Sequence, residues 1–173
     1  MDHPLAATLR TARLVLTPLE PADAFDMVDV LGDPALYAFT GGEPPDLERL
    51  RARYDAQVAG SPDPGERWHN WIIRMADTGA AIGFVQATVA GERADVAWLT
   101  GTAWQGNGFA VEAAGAMCGW LRGAGVRDVT AHIHPGHRAS ARVATAIGLV
   151  PTDVVDDDGE RVWVAAAGPA SPA

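Results

Sequence analysis

Between residues 10 and 19, Leu14 and Leu16 alternate with Arg13, Val15 and Thr17, the two-residue period of a strand with one buried face. Pro21 then stands at a favoured first-turn position, and Ala24, Met27, Val28 and Leu31 recur at helical spacing up to a stop at Gly32. A short segment with Tyr37 and Phe39 ends in Gly41-Gly42. A second helix is predicted over 45–59, with Leu47, Leu50, Tyr54 and Val58 inward and Arg49, Arg51 and Arg53 in solvent. Ser61-Pro62-Asp63-Pro64-Gly65 reads as a loop by its turn chemistry. Strand signals follow at 68–76, 81–90 and 93–100, with turns near Gly79 and Gly91, which together read as an antiparallel meander. The strongest helix spans 106–123, where Ala110, Ala113, Ala114, Met117 and Leu121 share one face. A strand at 126–134, a helix at 138–147 and strands at 149–155 and 160–166 complete the pattern, the last two joined by an Asp158-Gly159 turn. The order β-α-α-β-β-β-α-β-α-β-β predicts an α+β fold, with a mostly antiparallel mixed sheet of about seven strands and helices on both faces. The unit from 93 to 134 is the one connection long enough to set two strands parallel.

The 173 residues are expected to form one domain, with a core over about 8–166 and a frayed tail at 167–173. Hydrophobic residues make up 48% and charged residues 20%, a globular balance. The net charge of −9 argues against nucleic acid or an anionic membrane as partner and favours a cationic one. All 13 basic residues are arginine. The lack of lysine excludes a Walker-type phosphate loop, Schiff-base catalysis and pyridoxal phosphate anchoring. Cys118 is the sole cysteine, so neither an intrachain disulfide nor a multi-cysteine zinc site can form. Its spacing with Ala114 and Leu121 puts it in the core. Met1-Asp2-His3-Pro4 lacks the pattern of a signal peptide, and no run of about 20 apolar residues is present. A soluble cytoplasmic protein is therefore expected.

The candidate chemistry begins at Trp104-Gln105-Gly106-Asn107-Gly108-Phe109-Ala110, between a predicted strand and the strongest helix. Two glycines one residue apart let the backbone turn tightly and expose N–H groups, and the helix start adds unpaired donors with partial positive charge. Together they suit a phosphate without any lysine. A helix cap with no ligand remains the simpler alternative. The dinucleotide-binding pattern fails, because its third glycine position is Val111.

Gln105-x-x-Gly108-x-Ala110 resembles the Gln/Arg-x-x-Gly-x-Gly/Ala signature of the GNAT superfamily of N-acetyltransferases. The longer string from Trp104 to Ala113 is similar to the Rim-type branch, which acetylates amines including protein N-termini. Colinear matches are Thr11-Ala12-Arg13-Leu14-Val15-Leu16, Thr78-Gly79 to Ile82-Gly83, His134-Pro135-Gly136-His137-Arg138-Ala139-Ser140, Ile147-Gly148-Leu149, and Asp158-Gly159-Glu160 with Trp163. The resemblance spans about residues 8–166 and departs at His137, where asparagine is usual, and at Leu149, where phenylalanine is.

The resemblance implies acetyl-CoA as donor. It puts the pyrophosphate on the backbone of Gln105, Gly106, Asn107, Gly108, Phe109 and Ala110, and the pantetheine arm along Trp98, Leu99 and Thr100. It brings His137 and Ser140 near the pantetheine and the thiol, and it implies that the strands at 93–100 and 126–134 splay apart to admit the thioester. Many relatives carry a tyrosine here as acid to the leaving thiolate; Ser140 or water takes that place in this chain.

Direct attack by an amine needs a proton acceptor and a group to polarise the carbonyl. Asp95, Glu112, His132 and His134 are the candidates for base, and His134, Ser140 and Asp95 form the expected catalytic set. Tyr37, Phe39 and Trp71 are expected to line the acceptor site. No metal is expected, although His132, His134 and His137 could in principle make a three-histidine zinc site. Asp156-Asp157-Asp158-Gly159 reads as a hairpin turn, since both end carboxylates of a calcium loop are missing. The acceptor is a small-molecule or peptide amine: a protein or peptide N-terminus, a small amine or polyamine, or an amine-bearing antibiotic. A non-catalytic acyl-CoA-binding module and a metal-dependent hydrolase stay open at this point. So does a homodimer, by analogy.

Overall fold

The computed structural model describes residues 6–166. The amino-terminal Met1–Pro4 and the tail expected to fray lie outside the described residues. The strands are β1 (Leu9–Arg10), β2 (Leu14–Pro18), β3 (Arg67–Met75), β4 (Ala81–Ala90), β5 (Arg93–Thr100), β6 (Asp128–Ile133), β7 (Leu149–Val155) and β8 (Arg161–Ala165). The helices are α1 (Ala24–Val30), α2 (Leu47–Ala59), α3 (Phe109–Gly123) and α4 (Arg138–Ala146). All eight strands join one sheet in the order β1-β2-β3-β4-β5-β6-β8-β7. Every neighbouring pair is antiparallel except β5 and β6.

Strand alternation divides the core between the two faces of the sheet. Trp71, Ile73, Val85 and Val96 face α3 and α4, whose Ala113, Met117, Leu121 and Ala144 are buried against them. Ile72, Phe84 and Leu99 face the other way, toward Met27, Leu50 and Tyr54 of α1 and α2. Cys118 is buried on the α3 side, and burial pushes its thiol above the ordinary value, as befits a core residue.

Two expectations change. The first strand is two strands: Thr11–Arg13 form a turn, so that Leu9 pairs back onto Leu16 and Arg10 onto Val15. Thr11 closes that turn through its N–H to the Leu14 carbonyl and its hydroxyl to the Leu14 N–H, at 3.0 Å each. Val58 is not inward; it is half exposed and outside the cluster that buries Leu50 and Tyr54.

Gly83 of β4 opposes Thr100 of β5, and a Cβ there would collide with the Leu99 carbonyl oxygen and lie 2.9 Å from the Thr100 Cα. No alanine fits without moving β5. Gly83→Ala is expected to destabilise the fold by about 1–3 kcal/mol, as overpacking does. Denaturant unfolding checks this; an unchanged midpoint would mean that β4 and β5 separate at no cost.

Candidate active site

The β5–β6 ladder holds for three residue pairs, Arg93↔Asp128, Ala94↔Val129 and Asp95↔Thr130. Beyond them β5 continues beside β4 alone, while β6 turns its pairing to β8 from Thr130 to Ile133. The strands therefore diverge from Val96 and Ala131 onward. A cleft of about 750 Å³ opens in the fork and reaches the start of α3 and of α4.

At one end is the glycine loop. Gly106 and Gly108 both have φ of +79°, a left-handed backbone that favours glycine. The loop carbonyls are occupied: Asn107 Nδ2 donates to the carbonyls of Trp104 and Gln105, at 3.3 and 3.1 Å. Gln105 Nε2 donates to the Thr100 carbonyl at 3.0 Å, tying the loop to the end of β5. The backbone N–H groups of Gly106, Asn107, Gly108 and Phe109 meet no acceptor among the described residues. That leaves a cluster of unpaired donors at a helix start, which is what an anion requires.

Arg13 braces this loop. Its Nη1 donates to the Asn107 carbonyl at 2.9 Å, its Nε donates to Glu112 at 2.7 Å, and its guanidinium lies over the Phe109 ring at 4.5 Å. Glu112 also accepts from the Thr11 hydroxyl at 2.6 Å and the Arg13 N–H at 2.9 Å. Burial opposes the charge on Glu112, but the Thr11 and Arg13 hydrogen bonds outweigh it and hold the carboxyl below its ordinary range. Arg138 and Arg142 of α4 line the same cleft.

The other end of the cleft carries histidines and one carboxylate, Glu160. His134 Nδ1 accepts the Gly136 N–H at 3.0 Å, and His137 Nδ1 accepts the Ser140 N–H at 3.3 Å. Each neutral ring therefore carries its proton on Nε2 and presents a donor. Phe39 stacks on His137 with ring centres 4.6 Å apart. Burial, then the neighbouring His134, lowers the pKa of His137. His132 and Glu160 also line this end. Asp33 fixes the segment that carries Phe39, accepting from the Thr102 hydroxyl at 2.6 Å and capping the 3-10 turn Pro34–Tyr37.

The cleft wall thus includes Trp98, Leu99, Thr100, Gln105, Gly106, Gly108, Phe109, Ala110, His137, Ser140, His134 and Phe39 from the expected set. Asn107 shapes the loop from within. Three expected residues are elsewhere. Trp71 is wholly buried, donates to the Ala7 carbonyl at 2.8 Å and packs edge-on against Trp120; it is core, not acceptor site. Tyr37 lies outside the cleft wall and donates to the Leu31 carbonyl at 3.0 Å. Asp95 stands at the last paired step of the fork, outside the wall, with its side chain largely exposed. In this geometry the neutral His134 ring presents Nε2–H, a donor, to the cleft. Sequence reasoning missed the brace that Arg13 makes to the glycine loop and the 2.6 Å contact of Asp156 Oδ2 with His132 Nδ1. Arg13 was visible as a strand residue and as part of the Thr11–Leu16 family match, and Asp156 only as part of a turn.

Residues 13–150 match the acetyltransferase (GNAT) domain family. The chain belongs to the GNAT acetyltransferases. Within them it falls in the RimJ/RimL-like group. Solved GNAT-type structures share the fold. An acetyltransferase from Agrobacterium tumefaciens is 27% identical, with a TM-score of 0.74 over 95% of this chain and 96% of that one. A GNAT-family acetyltransferase from Bacillus anthracis is 16% identical, with a TM-score of 0.76 over 91% and 97%. AAC(6')-Ib, solved with ribostamycin and coenzyme A, is 18% identical, with a TM-score of 0.72 over 87% and 91%. It has also been solved with acetyl-CoA, the donor that GNAT enzymes use. No curated protein matches the sequence significantly. Among the described residues, no helix is long and apolar enough to cross a membrane, and no group of three or more His, Cys, Asp or Glu is placed to hold a metal ion.

The Glu112 tether has a pH signature. Its folded pKa lies below the ordinary 4.5. Its stabilising contribution is therefore complete above that value and is lost as pH falls through the lower folded value. Glu112→Gln is expected to melt below the wild-type protein at pH 7, with the gap closing as the pH falls below the ordinary carboxyl value of 4.5. Thermal melts across pH check it; a gap that widens in acid would contradict the tether.

Proposed function

We propose that this GNAT enzyme moves the acetyl group of acetyl-CoA directly to a primary amine, without a covalent enzyme intermediate. The observation that carries the reading is the fork. One end offers unpaired backbone donors on a loop braced by Arg13 for phosphates, and the other offers histidines and Glu160 for an amine. The loop of Gln105, Gly106, Asn107, Gly108, Phe109 and Ala110 would take the pyrophosphate. The unpaired inner edge of β5 at Trp98, Leu99 and Thr100 would take the pantetheine amides in place of a missing strand.

His137 can serve where relatives have asparagine, since its Nε2–H is a donor like the asparagine amide. His134 Nε2–H is suited to the thioester carbonyl or the departing thiolate, and Ser140 offers a hydroxyl to the same thiolate. Acid at the acceptor end, with the −9 net charge, favours a cationic amine: a polyamine, a peptide N-terminus or an aminoglycoside of the kind found in the AAC(6')-Ib complex. Residues 8–166 would act as one domain.

Calorimetry with acetyl-CoA is expected to show saturable binding that weakens about tenfold or more in Gly108→Arg, where a side chain strains a left-handed backbone and fills the loop. Thiol release should follow with at least one of spermidine, ribostamycin and a short peptide with a free N-terminus. Circular dichroism verifies that the variant is folded. Wild-type protein that binds no acetyl-CoA would end this reading.

A further inference from the structure

We infer that His132, held by Asp156, is the group that takes the proton from the attacking amine; this rests on the acetyl-transfer reading above. Asp156 sits at the start of the β7–β8 turn. Its Oδ1 accepts the N–H groups of Asp158 at 3.0 Å and Glu160 at 2.9 Å. Its Oδ2 lies 2.6 Å from His132 Nδ1. The backbone bond from Glu160 and the bond from His132 hold the carboxyl below its ordinary range. A carboxylate only accepts, so the His132 proton must be on Nδ1. The neutral ring then has its lone pair on Nε2. This is the opposite tautomer to His134, two residues on and just past the end of β6.

The position suits the role. His132 lines the cleft just beyond Thr130, where the β5–β6 pairing ends. Its Nε2 faces β5, 3.8 Å from Asp95 Oδ1. The charged groups around it are Asp95 on β5, Asp156 in the turn and Glu160 before β8, with His134 just past the end of its own strand. An imidazolium formed there would face two carboxylates, Asp95 and Asp156. Asp95 and Asp156 are positioning residues in this scheme; of the three, only His132 meets the reacting atoms.

The step balances without a further reactant. The amine nitrogen attacks the thioester carbonyl carbon, and a C–N bond forms. The C–S bond breaks with its electron pair going to sulfur. The nitrogen's proton moves to His132 Nε2 and then to solvent, from which the thiolate takes one.

The test compares wild type, His132→Gln, Asp156→Asn and the double variant, with spermidine, ribostamycin and a free-N-terminus peptide as acceptors. His132→Gln is expected to lower kcat about 100-fold with acetyl-CoA affinity unchanged by calorimetry. Asp156→Asn can keep the turn's hydrogen bonds but sets an amide N–H against Nδ1, moving the ring proton to Nε2. It should lower kcat at least tenfold, and the double variant should be no worse than His132→Gln, because both act through one ring. Nitrogen-15 spectra of labelled histidine at pH 8.5 should show His132 protonated on Nδ1 and His134 on Nε2, with Asp156→Asn reversing only the former. A kcat for His132→Gln within a few-fold of wild type, additive losses, or two like tautomers would overturn the proposal. Wild-type protein that binds acetyl-CoA but acetylates none of the three amines would remove both the reaction and the role of His132. Wild-type turnover with an unimpaired His132→Gln would remove the role of His132 alone.

Discussion

The parallel contact between β5 and β6 lasts only three residue pairs, and the rest of the molecule is arranged around its failure. A parallel pair needs a long crossover, and α3 supplies it on one face of the sheet. If β6 stayed beside β5, the sheet would be continuous and closed. Instead β8 takes β6 over from Thr130 to Ile133, so the inner edge of β5 has no strand beside it from Val96 onward, and the Thr100 carbonyl is taken by Gln105. Unpaired backbone at a sheet edge is normally a liability. Here the edge lies inside a cleft, where an extended ligand with amide groups can complete it.

Charge is unevenly placed around that cleft. Arg13 holds the glycine loop and Arg138 and Arg142 line the cleft, while Asp95, Asp156 and Glu160 stand around His132. A net charge of −9 conceals this unevenness. A donor with phosphates and an acceptor with an ammonium group would each be drawn to the charge that opposes its own. The Arg13–Glu112 bridge adds a mechanical link, since it joins the β1–β2 turn to the first turn of α3 and the loop carbonyl at once.

The fold was largely legible because its elements carry strong local signals. The alternation in β3 to β5 and the apolar stripe of α3 predict elements within a few residues of those observed. The glycine loop was legible as a tight turn into α3, since Gly106 and Gly108 both take the left-handed backbone, but the sequence left open whether it is a ligand site or a bare helix cap. What escaped depends on contacts far apart in sequence. Nothing local tells that Thr11–Arg13 turn because Glu112, about a hundred residues away, holds them. Alternation cannot tell which aromatic reaches a cleft, so Trp71 seemed available although its indole is locked to Ala7. The acid run at Asp156 reads correctly as a turn, but its second carboxylate oxygen is spent on His132, 24 residues earlier.

Hydrogen exchange with and without coenzyme A tests the central claim most directly. If the fork and the glycine loop form the donor site, coenzyme A slows exchange at the amides of 106–110 and along 97–100, and leaves α2 unchanged. Protection confined to other segments, with 106–110 exchanging as before, would contradict it.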